Sequence, residues 1–444
     1  MFVKHCLIVS CNLVIWEKHR INEIFLFLHP IEFNCTMNHH QLFFFVLLLL
    51  SNLNLHAEAQ TNTNNLDSLW TAAIEHGKHG RFDESNAIYR TILKEPGLSE
   101  ELTRAAYLSI GNNANLAGDF KTFYDCLSRY YSAEELVQIK ALADLPKDTL
   151  IRPNKDISVV YHIDSIYYEG QFKGCEIRVP ATIDGKEEMF VFDNGCARFS
   201  AASESFALSH GIRPIEVKGK AIGVTGEASM WLGIADSLSI GQMCFQNIVF
   251  IVMPDQDLVN SFMNIQAILG ANIFRLAGEM DFDNKSKIIV FPFRQQDLES
   301  NLTIQDDGRH FAEVEVEDDT LQFQLDLGCA STKLSYNYFA KHKDLIEATA
   351  QADSSFAGGV GGVSRVPVYR LHGISFKACG GCFTKQDVII STQKEANQGD
   401  EEGVIGSDFL LSFDKAVLNL RKMFLSICNP QVNPPDPANP CPED

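Results

Sequence analysis

The feature that most constrains this chain is a long internal repeat. The stretch Ile183-Asp-Gly-Lys-Glu-Glu-Met-Phe190-Val-Phe192-Asp193-Asn194-Gly195-Cys196-Ala197 returns as Val316-Glu-Asp-Asp-Thr-Leu-Gln-Phe323-Gln-Leu325-Asp326-Leu327-Gly328-Cys329-Ala330. The offset is the same at each landmark (326 − 193 = 133 and 323 − 190 = 133). Each copy reads as a polar hairpin tip, an apolar strand and then Asp-x-Gly-Cys-Ala. Further on, Ile268-Leu269-Gly270 pairs with Val404-Ile405-Gly406, 77 and 80 positions after the respective aspartates (270 − 193 and 406 − 326). Both copies close on β-rich stretches, 287–291 and 423–427. A chain built this way folds as two equivalent β lobes.

Two lobes that each end a strand in aspartate can present two carboxylates to one another. Such a pair cannot ionise twice cheaply, so it holds one proton over a wide pH range. The ionised member can take a proton from a water, and the protonated member can donate to a carbonyl oxygen. Asp-x-Gly as a single motif says little, because Asp favours turns. The duplication and the paired aliphatic-Gly elements make it specific.

A strand ending in Asp-x-Gly-small, followed by two aliphatics and Gly, resembles one lobe of a retropepsin-type aspartic protease. Two copies in one chain resemble the pepsin arrangement or a fused retropepsin dimer, over about residues 155–430. The resemblance implies a mainly β, bilobal fold of the double-ψ β-barrel type, with Asp193 and Asp326 catalytic in an aspartic endopeptidase. It implies that Asn194, Gly195, Cys196, Leu327, Gly328 and Cys329 form the supporting loops, braced by the aliphatic-Gly elements. It also places a flap in each lobe, at Gly223 and Gly226 and at Gly359 and Gly361. Glycine there gives hinges and close approach to an extended peptide, which adds as a strand.

The chain departs from the family where Thr or Ser stands between Asp and Gly. Asn194 can still donate and accept hydrogen bonds, whereas Leu327 cannot. The mutual hydroxyl brace is therefore lost in at least the second lobe. Two other functions stand beside proteolysis: an inactive relative that binds extended peptides, and a partner-binding role for the N-terminal helices.

Those helices are read from apolar residues at three- and four-residue steps between about 66 and 145. The run Trp70…Gly77…Gly80-Arg81-Phe82…Tyr89…Pro96 resembles one tetratricopeptide hairpin, and 108–127 a poorer second copy. Two copies are too few for a free-standing solenoid, so packing on the β lobes is expected ahead of partner docking. The organisation expected is an upstream extension at 1–36, a signal peptide at 37–59, a helical domain at 60–150, lobes at 155–300 and 301–430, and a Pro-rich tail at 431–444. Pro146 and Pro153 mark a linker.

The apolar run at 42–50 before Ala57-Glu58-Ala59 has the order of a secretory signal. Export from a bacterial cell, to the periplasm or beyond, is the expected location, with no lasting membrane anchor. Nine cysteines follow the leader, an odd number, so at least one thiol stays free. Cys379-Gly-Gly-Cys382 lacks a second ligand pair for a metal and reads as a small disulfide or two thiols. No metal or cofactor is expected. His210, His310, His342 and His372 share no catalytic or ligand spacing and read as surface or loop residues. A net charge of −20 with no Lys/Arg cluster excludes nucleic acid as a partner. The expected partner is a peptide or protein substrate, and two lobes in one chain make dimerisation unnecessary.

Overall fold

The computed structural model describes residues 7–8, 63–168, 171–258 and 265–430. The expected signal peptide, the tail and almost all of the upstream extension lie outside them. Among the described residues no helix is long and apolar enough to cross a membrane.

The chain begins with helices Thr63–Lys78, Phe82–Ile92, Glu100–Leu116, Phe120–Leu127 and Val137–Ala143. Local chemistry sets their ends. Ser99 Oγ accepts the Leu102 N–H (3.2 Å) and Asp119 Oδ1 accepts that of Thr122 (3.0 Å), each satisfying a donor the helix cannot. Gly80 and Gly118 turn the chain at positive φ. Ala73, Tyr89, Ile92, Ala106, Ile110 and Cys126 form a small core. This module packs on the β body. His79 Nδ1 meets Ser300 Oγ (2.8 Å), Asn112 donates to Asp306 (2.7 Å), and the Phe120 and Phe199 rings lie 5.9 Å apart.

The segment expected to be a linker is partly sheet. Thr149–Ile151 joins the edge of Met243–Met253, with Ile151 opposite Cys244. Leu150 packs against the main core, which is why the segment is held in place.

Two large sheets form the lobes. In the first, Lys186–Phe192 runs parallel to Ala267–Leu269, which lies antiparallel to Ser200–Ser203. In the second, Asp319–Leu325 runs parallel to Gly403–Ile405, which lies antiparallel to Lys333–Leu334. Thus each lobe threads its Asp-bearing strand beside its aliphatic-Gly strand in the same way. A third sheet joins the lobes. In it Glu279–Asp283 pairs with Phe413–Asn419, flanked by Ile288–Phe291 and Ile157–Val160 on one side and Phe424–Pro430 on the other. One apolar core runs through both lobes, with Phe192 stacked on Phe274 (4.1 Å) and Phe409 edge-on to Phe413 (5.1 Å). Burying each such ring stabilises the fold by roughly 1.5–3 kcal/mol.

Candidate active site

The two Asp-x-Gly loops meet where the lobes join. Each is folded by the same local bonds. Asp193 Oδ1 accepts the N–H groups of Gly195 (2.7 Å) and Cys196 (3.2 Å). Asp326 Oδ1 accepts those of Gly328 (3.0 Å) and Cys329 (3.1 Å). The loops are then tied to the aliphatic-Gly elements: Ala271 N–H donates to Cys196 O (2.9 Å) and Ser407 N–H to Cys329 O (2.8 Å). Gly270 and Gly406 are anchored by the hydroxyls of Ser200 and Thr332 (both 3.1 Å).

The glycines have a clear steric role. A Cβ on Gly195 would overlap the Asp326 carboxylate, and one on Gly328 would overlap that of Asp193. Each lobe therefore makes room for the other lobe's acid. Any side chain there would separate the pair.

Asn194 carries the cross-lobe brace unaided. Its Nδ2 donates to Leu325 O (2.7 Å) and its Oδ1 accepts the Leu327 N–H (2.9 Å). Leu327 returns no hydrogen bond from its side chain and is instead fully buried in the apolar core. The expected loss of mutual bracing is real, and one amide making two bonds takes its place.

Both acids are buried and hydrogen-bonded to each other. Burial and the charge of Asp326 push Asp193 well above the ordinary carboxylate range. Burial also raises Asp326, but the proton shared from Asp193, the loop N–H groups and the Lys333 ammonium oppose the rise. The pair therefore shares one proton between the two carboxylates.

Each lobe also carries a long hairpin, Arg213–Ile222 with Glu227–Ile240 and Gln351–Gly359 with Gly362–Leu371. Their glycine tips touch. Thr225 Oγ1 lies 3.2 Å from Val360 O and 3.1 Å from Gly362 O. A Cβ on Gly361 would come within 2.7 Å of the Gly226 backbone. Gly223 and Gly359 lie opposite Val360 and Val224. The glycine-rich hairpins expected as covers thus meet tip to tip across the two lobes.

Other sequence expectations fare differently. His210 and His310 are buried, contrary to the surface reading. His210 stacks on Phe206 (3.9 Å), and its Nε2 reaches Glu188 (3.1 Å). His310 sits inside the second lobe, where burial lowers its pKa to about 4. Cys379 and Cys382 are free thiols flanking a hairpin turn. Burial pushes the Cys329 thiol up to about 12, so it stays protonated. Among the described residues no group of His, Cys, Asp and Glu is placed to hold a metal.

Two neighbours of the dyad escaped the sequence reading. Lys333 is ion-paired to Glu395 beside Asp326. Gln324 donates to Asp326 Oδ2 (3.4 Å). The available signal was a polar residue, between Phe323 and Leu325, two positions before Asp326, where alternation puts both side chains on one face.

The chain was compared with known proteins. Residues 179–273, the Asp193 loop and its aliphatic-Gly element included, match the family model "Aspartyl protease". No curated protein matches the chain. Among solved structures, the crystal structure of a retropepsin-like aspartic protease from Rickettsia conorii is similar at 17% identity. The match covers 33% of this chain and 95% of that one, with a TM-score of 0.21.

Proposed function

We propose that this chain, whose family is that of the retropepsin-like aspartyl proteases, cleaves peptide bonds with a water held between Asp193 and Asp326. The observation that carries this reading is the buried, hydrogen-bonded acid pair, with each partner glycine making room for the opposite carboxylate. Asp326, ionised, takes a proton from the water as its oxygen attacks the scissile carbonyl carbon. Asp193 gives its proton to the carbonyl oxygen, forming a gem-diol. Collapse of the diol returns a proton to Asp193 and expels the amine, which leaves protonated by Asp326. The substrate is an extended peptide lying under the two hairpin tips and adding to them as a strand. The leader at 37–59 suits an enzyme acting on peptides outside the cytoplasm.

A second reading rests on Leu327. With only Asn194 bracing the loops, a relative that binds peptides without turnover would keep the same cleft. One experiment separates the two: digestion of a diverse peptide library by the full chain from acidic to neutral pH, beside Asp193→Asn and Asp326→Asn. Cleavage that disappears in both variants is the expected result. A folded wild type that binds peptides and cleaves none at any pH would shift the function to binding. Cleavage that survives both substitutions would remove the dyad from the chemistry.

A further inference from the structure

The two lobes differ at the position two residues before the catalytic aspartate. The first has Val191, buried among apolar side chains. The second has Gln324, buried and hydrogen-bonded at both ends. Its Oε1 faces Arg309 Nη1 (3.3 Å), and its Nε2 faces Asp326 Oδ2 (3.4 Å). A guanidinium can only donate, so Arg309 dictates which end of the amide it meets. The amide N–H is thereby turned toward Asp326.

Arg309 is itself fixed. It is 3% exposed, its Nε donates to Asp307 Oδ2 (2.6 Å) and its Nη1 to Glu401 Oε1 (3.0 Å). Its backbone N–H also donates to Asp307 Oδ1 (2.9 Å). No such relay can exist in the first lobe, because valine offers no donor.

We propose that Gln324, oriented by Arg309, is a positioning residue that breaks the symmetry of the acid pair, making Asp326 the base and Asp193 the acid. This assignment of roles rests on the proteolytic reading of the site, although the asymmetry itself does not. Oδ1 of Asp326 already accepts two loop N–H groups, as does Oδ1 of Asp193. The donor at Oδ2 is the additional one, and a donor to a carboxylate favours its ionised form. The other charged or titratable groups facing the pair are Lys333 with its partner Glu395 and the protonated Cys329 thiol. Arg309, Asp307 and Glu401 face it through Gln324, and the adjacent buried His310 is neutral above about pH 4.

The test is a carboxyl ¹³C titration by NMR of the full chain, wild type against Gln324→Leu and Gln324→Glu, with Asp193→Asn used to assign Asp326. Gln324→Leu keeps the volume and removes the donor. The lower of the two apparent dyad pKa values is expected to rise by about one pH unit, a ten-fold gain in proton affinity. Gln324→Glu keeps the bond from Arg309 but turns an acceptor toward Asp326, and the rise is expected to be larger. The acid limb of kcat against pH moves with it, while KM stays within two-fold; a merely structural role would lower kcat without moving the limb. A dyad titration unchanged in folded Gln324→Leu overturns the proposal, whether or not the wild type cleaves peptides. A shifted titration in a chain that cleaves nothing upholds the asymmetry and overturns the proteolytic reading instead.

Discussion

The two lobes share a skeleton and differ in the chemistry hung on it. Both fold their Asp-x-Gly loops with the same N–H bonds and tie them to the same Gly-headed element. Yet the bracing amide is in the first lobe only, as Asn194, and the corresponding Leu327 is apolar filler. The buried polar relay is in the second lobe only, where Arg309, His310 and Gln324 stand at the positions of Glu176, Ile177 and Val191. The difference teaches that the duplicated part of the site is what places two acids together. The unduplicated part decides how they are held and which one carries the proton.

The brace is the place to break this division with the largest effect. Asn194→Leu would make the lobes alike at this position and remove both cross-lobe bonds. It would leave the Leu327 N–H buried without a partner, costing about 1–3 kcal/mol, and take one donor from Leu325 O. A loss of about 3 kcal/mol in urea unfolding is expected, with catalysis falling on the order of a hundredfold as the acids lose register. Leu327→Asn makes the lobes alike in the opposite sense and should not improve bracing. Its side chain would bring an amide into the apolar core that Leu327 now fills, and a loss of stability is expected. Wild-type stability and turnover in Asn194→Leu would show that the lobes are held by the shared sheet alone.

The buried histidine gives the next largest effect, read as pH dependence. His310 has a pKa near 4 in the folded chain, against 6.5 when free. The unfolded chain therefore binds the proton first as pH falls. Stability is fully present above about pH 6.5 and drains away down to about pH 4, by about 3 kcal/mol from this group. His310→Ile copies the first lobe's Ile177 and should remove most of that dependence. Unfolding free energies at pH 7 and pH 4.5 would check it; an equal drop in wild type and variant would clear His310. A fold that carries an acid pair would thus be weakened in acid by its own second lobe.

How much of this was legible in the sequence follows the same line. The lobes, the acid pair and its glycines were readable because they are local motifs repeated at a fixed offset, which chance does not produce. The helices were readable from periodicity, and their docking was not, because contacts such as Asn112 with Asp306 join residues far apart in sequence. The relay was hidden for the same reason. Gln324 acquires its role only when Glu401, far along the chain, closes on Arg309. His310 stood as an isolated histidine with no spacing to betray its burial. Asn194 was visible as a departure from the family, but its two bonds required knowing that Leu325 and Leu327 present one C=O and one N–H to it.

The smallest expected effect concerns the covers, where the lobes again contribute unequally. The first tip supplies the hydroxyl of Thr225, and the second supplies the carbonyls of Val360 and Gly362. One hydroxyl proton is shared between two acceptors, so Thr225→Val removes about one hydrogen bond, worth about 1 kcal/mol. That is roughly five-fold in the balance between joined and parted tips. If peptides are held beneath joined tips, KM should rise by about that factor with kcat little changed, since the acids are untouched. Gly361→Ala sharpens the point from the other lobe. Its φ of +94° is strained for alanine, and the new methyl would press on the Gly226 backbone at 2.7 Å. The tips must then part, and KM should rise by more than in Thr225→Val. Equal KM values in wild type and both variants would show that peptides bind with the tips apart, and that the contact between the lobes' covers belongs to the empty cleft.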